Sequence, residues 1–158
     1  MTAQLPLAWP APAHFRFDQF DATGNETAFD LVCARADGVE DNPTPLLLLG
    51  PAGVGKTHLL VAAATAAREQ QRQAAYLALS RWSDFDADAL DALASVDVLA
   101  IDEIERVAAR RSAEIALFDL YNRCRDRGVC LLLAARETPL RLALILPDLV
   151  SRLNAATA

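Results

Sequence analysis

Four short apolar runs recur along the chain, separated by longer segments in which apolar residues return at helical spacing. The apolar runs predict buried strands at about residues 45–49, 74–79, 96–101 and 129–135. The periodic segments predict helices at about residues 26–35, 55–71, 84–94 and 113–127. Strands that alternate with helices in this way indicate an α/β domain with a parallel sheet and right-handed crossovers.

Polar residues and glycines at the predicted helix ends refine two boundaries. Ser112 is the expected N-cap of the helix that follows it, Glu114 suits the positive end of that helix, and Gly128 lies just past its last turn. The helix at 26–35 is expected to begin after one of three candidates, Thr23, Gly24 or Asn25.

The chain divides into a short arm and one core. Residues 1–14 contain three prolines and no periodicity, which predicts an extended arm. The remaining residues, 15–158, have the length of a single domain.

Composition narrows the class of protein. The apolar fraction of 53% suits buried strands covered by helices, and the net charge of −6 predicts no direct sequence-specific binding of DNA. The three cysteines lack metal or redox spacing and lie in apolar surroundings, which indicates core positions in a reducing compartment. No signal peptide and no membrane-spanning apolar run are visible, so we expect a cytoplasmic protein without membrane contact.

A glycine-rich loop between the first strand and the next helix carries the main chemical signal. Its spacing is that of a phosphate-binding P-loop, in which backbone N–H groups and the helix N-terminus surround an anion. The predicted cofactor-binding residues of this loop are Gly50, Pro51, Ala52, Gly53, Val54, Gly55, Lys56 and Thr57.

Two loop residues and two carboxylates are expected to have separate roles in binding the nucleotide and its Mg²⁺ and in hydrolysis. Lys56 would contact the β and γ phosphates, and the Thr57 hydroxyl would take a position on Mg²⁺. Asp102, at the end of the third strand, would hold Mg²⁺ through water, and Glu103 could orient or deprotonate an attacking water. The pattern predicts a site for ATP or ADP with Mg²⁺.

Several segments together resemble the AAA+ ATPases and, within them, the DnaA branch. The resemblance covers about residues 4–153 and rests on the P-loop, "FRFDQFDATGNETAFDLV", "IDEIE", "IALFDLYNRCRDRGVCLLL" and "LPDLVSRL". It implies a three-layer α/β/α nucleotide-binding core. In the family, a fifth strand and a helical lid follow the position that corresponds to Ala158. We therefore expect a core that lacks the lid subdomain and is truncated at its C-terminus. The first strand would then form an exposed sheet edge, with homo-oligomerisation as one outcome.

The resemblance also implies partners. Arg152 in "DLVSRL" matches the family's arginine finger, which would act in trans on the nucleotide of DnaA. Gln4, Leu5 and Leu7 are similar to a peptide that binds the DNA polymerase III sliding clamp (its β subunit) in regulatory members of the branch. These members inhibit chromosomal replication initiation by stimulating ATP hydrolysis on DnaA.

Other functions remain open at this point. An independent ATPase of the helicase-loader type would use Glu103 as its base. The end of the fourth strand opposes this hypothesis, because the chain has Ala134, Ala135 and Arg136 where the family has a small polar residue and an aspartate. A small-molecule kinase would need a substrate pocket and an arginine-bearing lid, for which no candidate is visible. The initiator itself is disfavoured because the segment "SRWSDFDADALDALAS" is short and acidic.

Overall fold

The computed structural model describes residues 15–38, 43–81 and 87–156. The strands within these ranges are β1 (Leu46–Leu49), β2 (Ala74–Ala78), β3 (Val98–Asp102) and β4 (Cys130–Ala135). The α-helices are α1 (Glu26–Asp37), α2 (Lys56–Glu69), α3 (Ala87–Leu93), α4 (Arg111–Asp126) and α5 (Pro147–Asn154).

The four strands form one parallel sheet in the order β1-β4-β3-β2. Leu49 lies opposite Ala135, and Ala78 lies opposite Asp102, so the carboxyl ends of the strands meet along one edge. Ligands of open α/β sheets bind at this edge. The predicted parallel α/β fold is confirmed.

Alternation along the strands divides the core into two layers. On β3, Val98 and Ala100 pack against α1 and α2, whereas Leu99 and Ile101 pack against the layer of α3, α4 and α5. The strands are buried on both faces, which explains why they appear in the sequence as continuous apolar runs. The result is the expected three-layer α/β/α arrangement.

Local predictions at the helix ends were partly wrong. The helix α4 begins at Arg111, so Ser112 lies inside its first turn, and the N-cap residue Arg110 makes no side-chain cap. Asn25 is the N-cap residue of α1, and Gly128 adopts a left-handed φ of +70° just past α4, as expected. Cys33 is only half-buried, whereas Cys124 and Cys130 are core residues.

Two further predictions concern the exposed sheet edge at the first strand and the N-terminal arm. Within the described residues, β1 pairs with β4 alone, so its outer side is a sheet edge. The predicted arm at 1–14, with Gln4, Leu5 and Leu7, lies outside the described residues. In the part of the chain that the structure describes, no helix is both long and apolar enough to cross a bilayer.

Candidate functional site

The loop between β1 and α2 is shaped by two glycines in left-handed backbone conformations. Gly53 has a φ of +87° and Gly55 a φ of +101°, which residues with a side chain adopt only under strain. At the start of the loop, the Gly50 N–H donates to the carbonyl of Ala135, so the loop begins where β1 and β4 end. Its N–H groups and the N-terminus of α2 therefore lie at the carboxyl edge of the sheet.

Phe20, which precedes α1, packs between aromatic side chains of α1 and α2 and lies next to the loop. The Phe20 ring stacks on Phe29 at 5.7 Å and meets His58 edge-on at 5.2 Å. His58 also lies 2.7 Å, through Nε2, from the carbonyl oxygen of Arg16. A Cβ atom added to Gly55 would lie 2.7 Å from Phe20 Cε2. Sequence reasoning did not find this role of Phe20, because only the packing brings residues 20 and 55 together.

We expect Gly55→Ala to destabilise the fold by about 2–4 kcal/mol, because left-handed strain adds to an overpacked contact with Phe20. Gly53→Ala is the matched control, since Gly53 has a similar φ and no atom within 4 Å of the added Cβ. Its expected cost is about 1–2 kcal/mol, from strain alone. Urea denaturation measures both. Equal losses would mean that Phe20 moves aside at no cost.

Lys56 is the first residue of α2 and folds back over the loop. Its ammonium donates to the carbonyl oxygens of Gly50 and, at 2.8 Å, of Pro51. The two carbonyl oxygens thus keep the ammonium at the loop. A bound phosphate would replace them as the acceptor of its hydrogen bonds.

Asp102 lies beneath the loop and is 3% exposed. Because side chains alternate along the strand, Asp102 points to the same face of the sheet as Ala100. Helix α2, which carries Thr57, packs on this face. The Thr57 hydroxyl donates to Asp102 Oδ2 at 2.5 Å, and the Glu103 N–H donates to Oδ1 at 2.8 Å. The structure thus brings together Lys56, Thr57 and Asp102, as the sequence predicts.

Tyr76 is a site residue that sequence reasoning missed. Its hydroxyl donates to Asp102 Oδ2 at 2.8 Å from the neighbouring strand β2. Burial, together with the negative charge of Asp102, raises the pKa of Tyr76 far above its usual value, so the phenol stays a donor. The available signal was its place in β2 on the same face as Asp102, which becomes informative only once the β2–β3 register is known.

The donor set at Asp102 suits a magnesium ion. A carboxylate and a hydroxyl are hard oxygen ligands, and Mg²⁺ commonly takes one or two such groups beside phosphates and water. Thr57 would take a position on the ion and Asp102 would hold it through water, and the ion would neutralise charge on the phosphates. Among the described residues there is no group of three or more histidine, cysteine, aspartate or glutamate side chains that could hold a metal ion.

Glu103 and the end of β4 are each tied to neighbouring segments by a backbone N–H to carboxylate hydrogen bond. Glu103 has a left-handed φ of +62°, and its carboxylate accepts the Ser80 N–H at 3.1 Å, beyond the end of β2. After the buried Ala134 and Ala135, the Arg136 N–H donates to Glu105 at 3.0 Å.

A cleft of about 310 Å³ lies between the start of α1 and β1. The polar start of α1 forms one wall, and apolar side chains of α1 and β1 form the other. The lining residues are Gly24, Asn25, Glu26, Thr27, Ala28, Leu31, Leu46 and Leu48. Its position, two residues before Gly50, places it beside the candidate phosphate site.

Arg152 does not join this site. Helix α5 buries Leu149 and Leu153 against the core and leaves Arg152 exposed. The side chain borders a second cleft, of about 470 Å³, together with Pro45 and Tyr121. Pro45 precedes β1 whereas Gly50 follows it, so this cleft and the loop lie at opposite ends of the strand, separated by roughly 16 Å at 3.3 Å per residue.

Comparisons with known proteins agree with this architecture. The family model of the bacterial DnaA ATPase domain matches residues 12–158. An uncharacterised protein of Haemophilus influenzae is 35% identical over 160 residues, which cover 98% of this chain and 66% of that protein. The chain thus spans slightly less than two thirds of that relative.

Two solved structures share the fold. AMPPCP-bound DnaA from Aquifex aeolicus superposes with a TM-score of 0.81 and 22% identity, over 92% of this chain and 49% of that one. The DnaC helicase loader superposes with a TM-score of 0.71 and 15% identity, over 92% of this chain and 95% of that one. The chain belongs to the family of bacterial DnaA ATPase domains.

Proposed function

We propose that this member of the DnaA ATPase domain family is a nucleotide-bound regulator that stimulates ATP hydrolysis on DnaA through Arg152. The role is similar to that of Hda, the DnaA-related protein that inactivates the replication initiator. Such a protein inhibits chromosomal replication initiation by converting DnaA to its ADP form.

The position of Arg152 carries this proposal. Its side chain is exposed on α5 at the end of β1 opposite the loop, so it cannot reach a phosphate bound at Lys56 of the same chain. A guanidinium on the exposed face of a helix whose other face is packed into the core is suited to a second molecule's nucleotide. There it would stabilise the charge that develops on the transferred γ-phosphoryl group.

The chain's own nucleotide is proposed to be ATP or ADP with Mg²⁺. Lys56 would hold the phosphates, Thr57 and Asp102 the ion, and the cleft beside Leu46 and Leu48 would take the purine base. The apolar wall of this cleft suits an aromatic base, and the fold is shared with a DnaA structure that contains AMPPCP.

Turnover of this nucleotide is proposed to be weak at most. The Glu103 carboxylate is engaged by the Ser80 amide, and the side chains of Ala134 and Ala135 offer no hydrogen bond to a γ-phosphate. The bound nucleotide would then serve as a structural ligand of the loop.

The partners follow from the same proposal. Gln4, Leu5 and Leu7 would attach the chain to the sliding clamp, and DnaA would contact the surface around Arg152. A second copy of the chain at the β1 edge is a further candidate partner.

The second candidate is an independent ATPase of the helicase-loader type. The adjacent Asp102 and Glu103 favour it, as does the extent of the shared fold with the DnaC helicase loader. In that case Glu103 would leave Ser80 and act as the base in this chain's own site.

The deciding experiment measures ATP hydrolysis by DnaA with and without this chain, each in the presence and absence of clamp loaded on DNA. The regulator is supported by stimulation that depends on the clamp and persists in Glu103→Gln. Hydrolysis by this chain alone, indifferent to DnaA and lost in Glu103→Gln, would replace the regulator with the independent ATPase.

A further inference from the structure

Glu114 is a fully buried carboxylate in the first turn of α4. Its oxygens accept three backbone N–H groups, from Ala109 at 3.1 Å, Ile145 at 2.8 Å and Leu146 at 3.0 Å. A buried charge is costly unless it is well paired, and here backbone donors supply the pairing. The residue is therefore bound to three specific points of the fold.

Two of these points fix the start of α5. Leu146 is the N-cap residue of α5, its side chain makes no cap, and Pro147 has no N–H to donate. The Glu114 carboxylate holds the N–H groups of Ile145 and Leu146, the two residues that lead into the helix, and lies near its positive end.

Helix α4 also holds the other end of α5. The Tyr121 hydroxyl donates to the backbone carbonyl of Arg152 at 3.2 Å. Between these two anchors, Leu149 and Leu153 pack into the core. The direction in which Arg152 leaves the surface is therefore set by Glu114 at one end of α5 and Tyr121 at the other.

The third donor belongs to the connection between β3 and α4. Ala109 follows the short 3-10 helix Ile104–Val107, which begins after Asp102 and Glu103. The same carboxylate therefore contacts both this connection and the start of the helix that carries Arg152.

We propose that Glu114 is the positioning residue of the arginine finger: its buried carboxylate fixes the N-terminus of α5 and thereby the reach of Arg152 toward a partner's nucleotide. The functional part of this inference rests on the proposed function. The anchoring part concerns this chain alone and is tested separately.

The test is Glu114→Gln, which keeps the shape of the side chain but replaces one acceptor oxygen by an NH₂ group that faces backbone donors. Glu137→Gln is the matched control, since Glu137 is exposed. Native-state hydrogen exchange by mass spectrometry is followed in peptides from residues 143–154 and in peptides from β3 and β4.

We expect exchange in residues 143–154 to accelerate about 10–100-fold, the effect of losing a hydrogen bond to a charged group, with β3 and β4 unchanged. Unchanged exchange in 143–154, or an equal acceleration throughout the sheet, would overturn the anchoring role. If Glu114→Gln does not fold, the same comparison on Glu114→Asp, which withdraws the charge by one methylene, decides the question by the same two outcomes.

The second test measures two quantities for Glu114→Gln: the stimulation of ATP hydrolysis on DnaA, and the affinity of the variant for fluorescent ADP. Stimulation should fall about tenfold or more while ADP affinity stays within about twofold, because Arg152 is displaced and Lys56 is not. Full stimulation despite accelerated exchange would overturn the positioning role. If wild-type protein does not stimulate DnaA at all, the proposed function fails, whereas the exchange result on α5 still stands.

Discussion

Arg152→Ala is expected to remove the stimulation of ATP hydrolysis on DnaA, a loss of about 10³–10⁵-fold in the stimulated rate. The effect is large because a guanidinium beside the transferred γ-phosphoryl group acts on charge that exists only in the transition state. The side chain is exposed and its backbone carbonyl keeps the bond to Tyr121, so folding stability should stay within about 0.5 kcal/mol of wild type.

Two further variants separate the finger from a general charge effect. Arg152→Lys keeps the charge but loses the planar fork of donors, so it should recover only a small part of the stimulated rate. Arg141→Ala removes another exposed arginine, from the short 3-10 helix Pro139–Arg141, and should leave stimulation intact. The measurement is release of phosphate from DnaA preloaded with labelled ATP. Normal stimulation by Arg152→Ala would exclude the finger, and the stimulating group would then lie elsewhere on this chain.

The second large effect is expected at Lys56. Lys56→Ala should weaken binding of ATP and ADP about 10²–10⁴-fold, because one or two charge-assisted hydrogen bonds to phosphate oxygens are lost. In the structure the same ammonium bonds the carbonyls of Gly50 and Pro51, which water can satisfy once the lysine is removed, so the ligand-free protein should lose little stability. Isothermal titration calorimetry measures the affinity directly.

The composition offers an independent measurement of the same contact. Lys56 is the only lysine of the 158 residues, so an amine-reactive reagent modifies one side chain besides the N-terminus. Bound ADP or ATP should protect Lys56 from acylation, and the α-amino group serves as the internal control. In Thr57→Ala and Asp102→Ala, we expect the protection of Lys56 to decrease in proportion to the loss of nucleotide affinity. Unprotected Lys56 at saturating nucleotide, or wild-type affinity in Lys56→Ala, would place the phosphate elsewhere.

Much of the fold could be predicted from the sequence because the signals are short-range. A strand buried on both faces is apolar at nearly every position, so β1, β4 and β3 up to Ile101 appear as uninterrupted runs. Gly53, Gly55 and Lys56 are consecutive parts of one loop, whose chemistry depends on local backbone conformation. Asp102 follows from its place at the end of a strand, since parallel strands end at a common edge.

Other features could not be predicted, because they depend on residues that only packing brings together. Tyr76 reaches Asp102 through the register between β2 and β3. Ser112 has the chemistry of a cap, but α4 begins one residue earlier, and Glu114 turns inward to Ile145 and Leu146 instead of capping its own helix. A propensity for capping is worth about 1 kcal/mol, and several tertiary hydrogen bonds to one buried carboxylate outweigh it.

By itself, then, the sequence determined the parallel α/β core, the conformation of the glycine-rich loop and the membership in the family of DnaA ATPase domains, because each depends on contiguous residues or on periodic burial. The tertiary structure alone decided the directions of the charged groups. It turned Glu103 toward Ser80, closed Thr57 onto Asp102, and held Arg152 at the end of β1 away from Lys56. The physical reason is that a side chain's direction is set by partners distant in sequence, through hydrogen bonds and packing that no local pattern encodes.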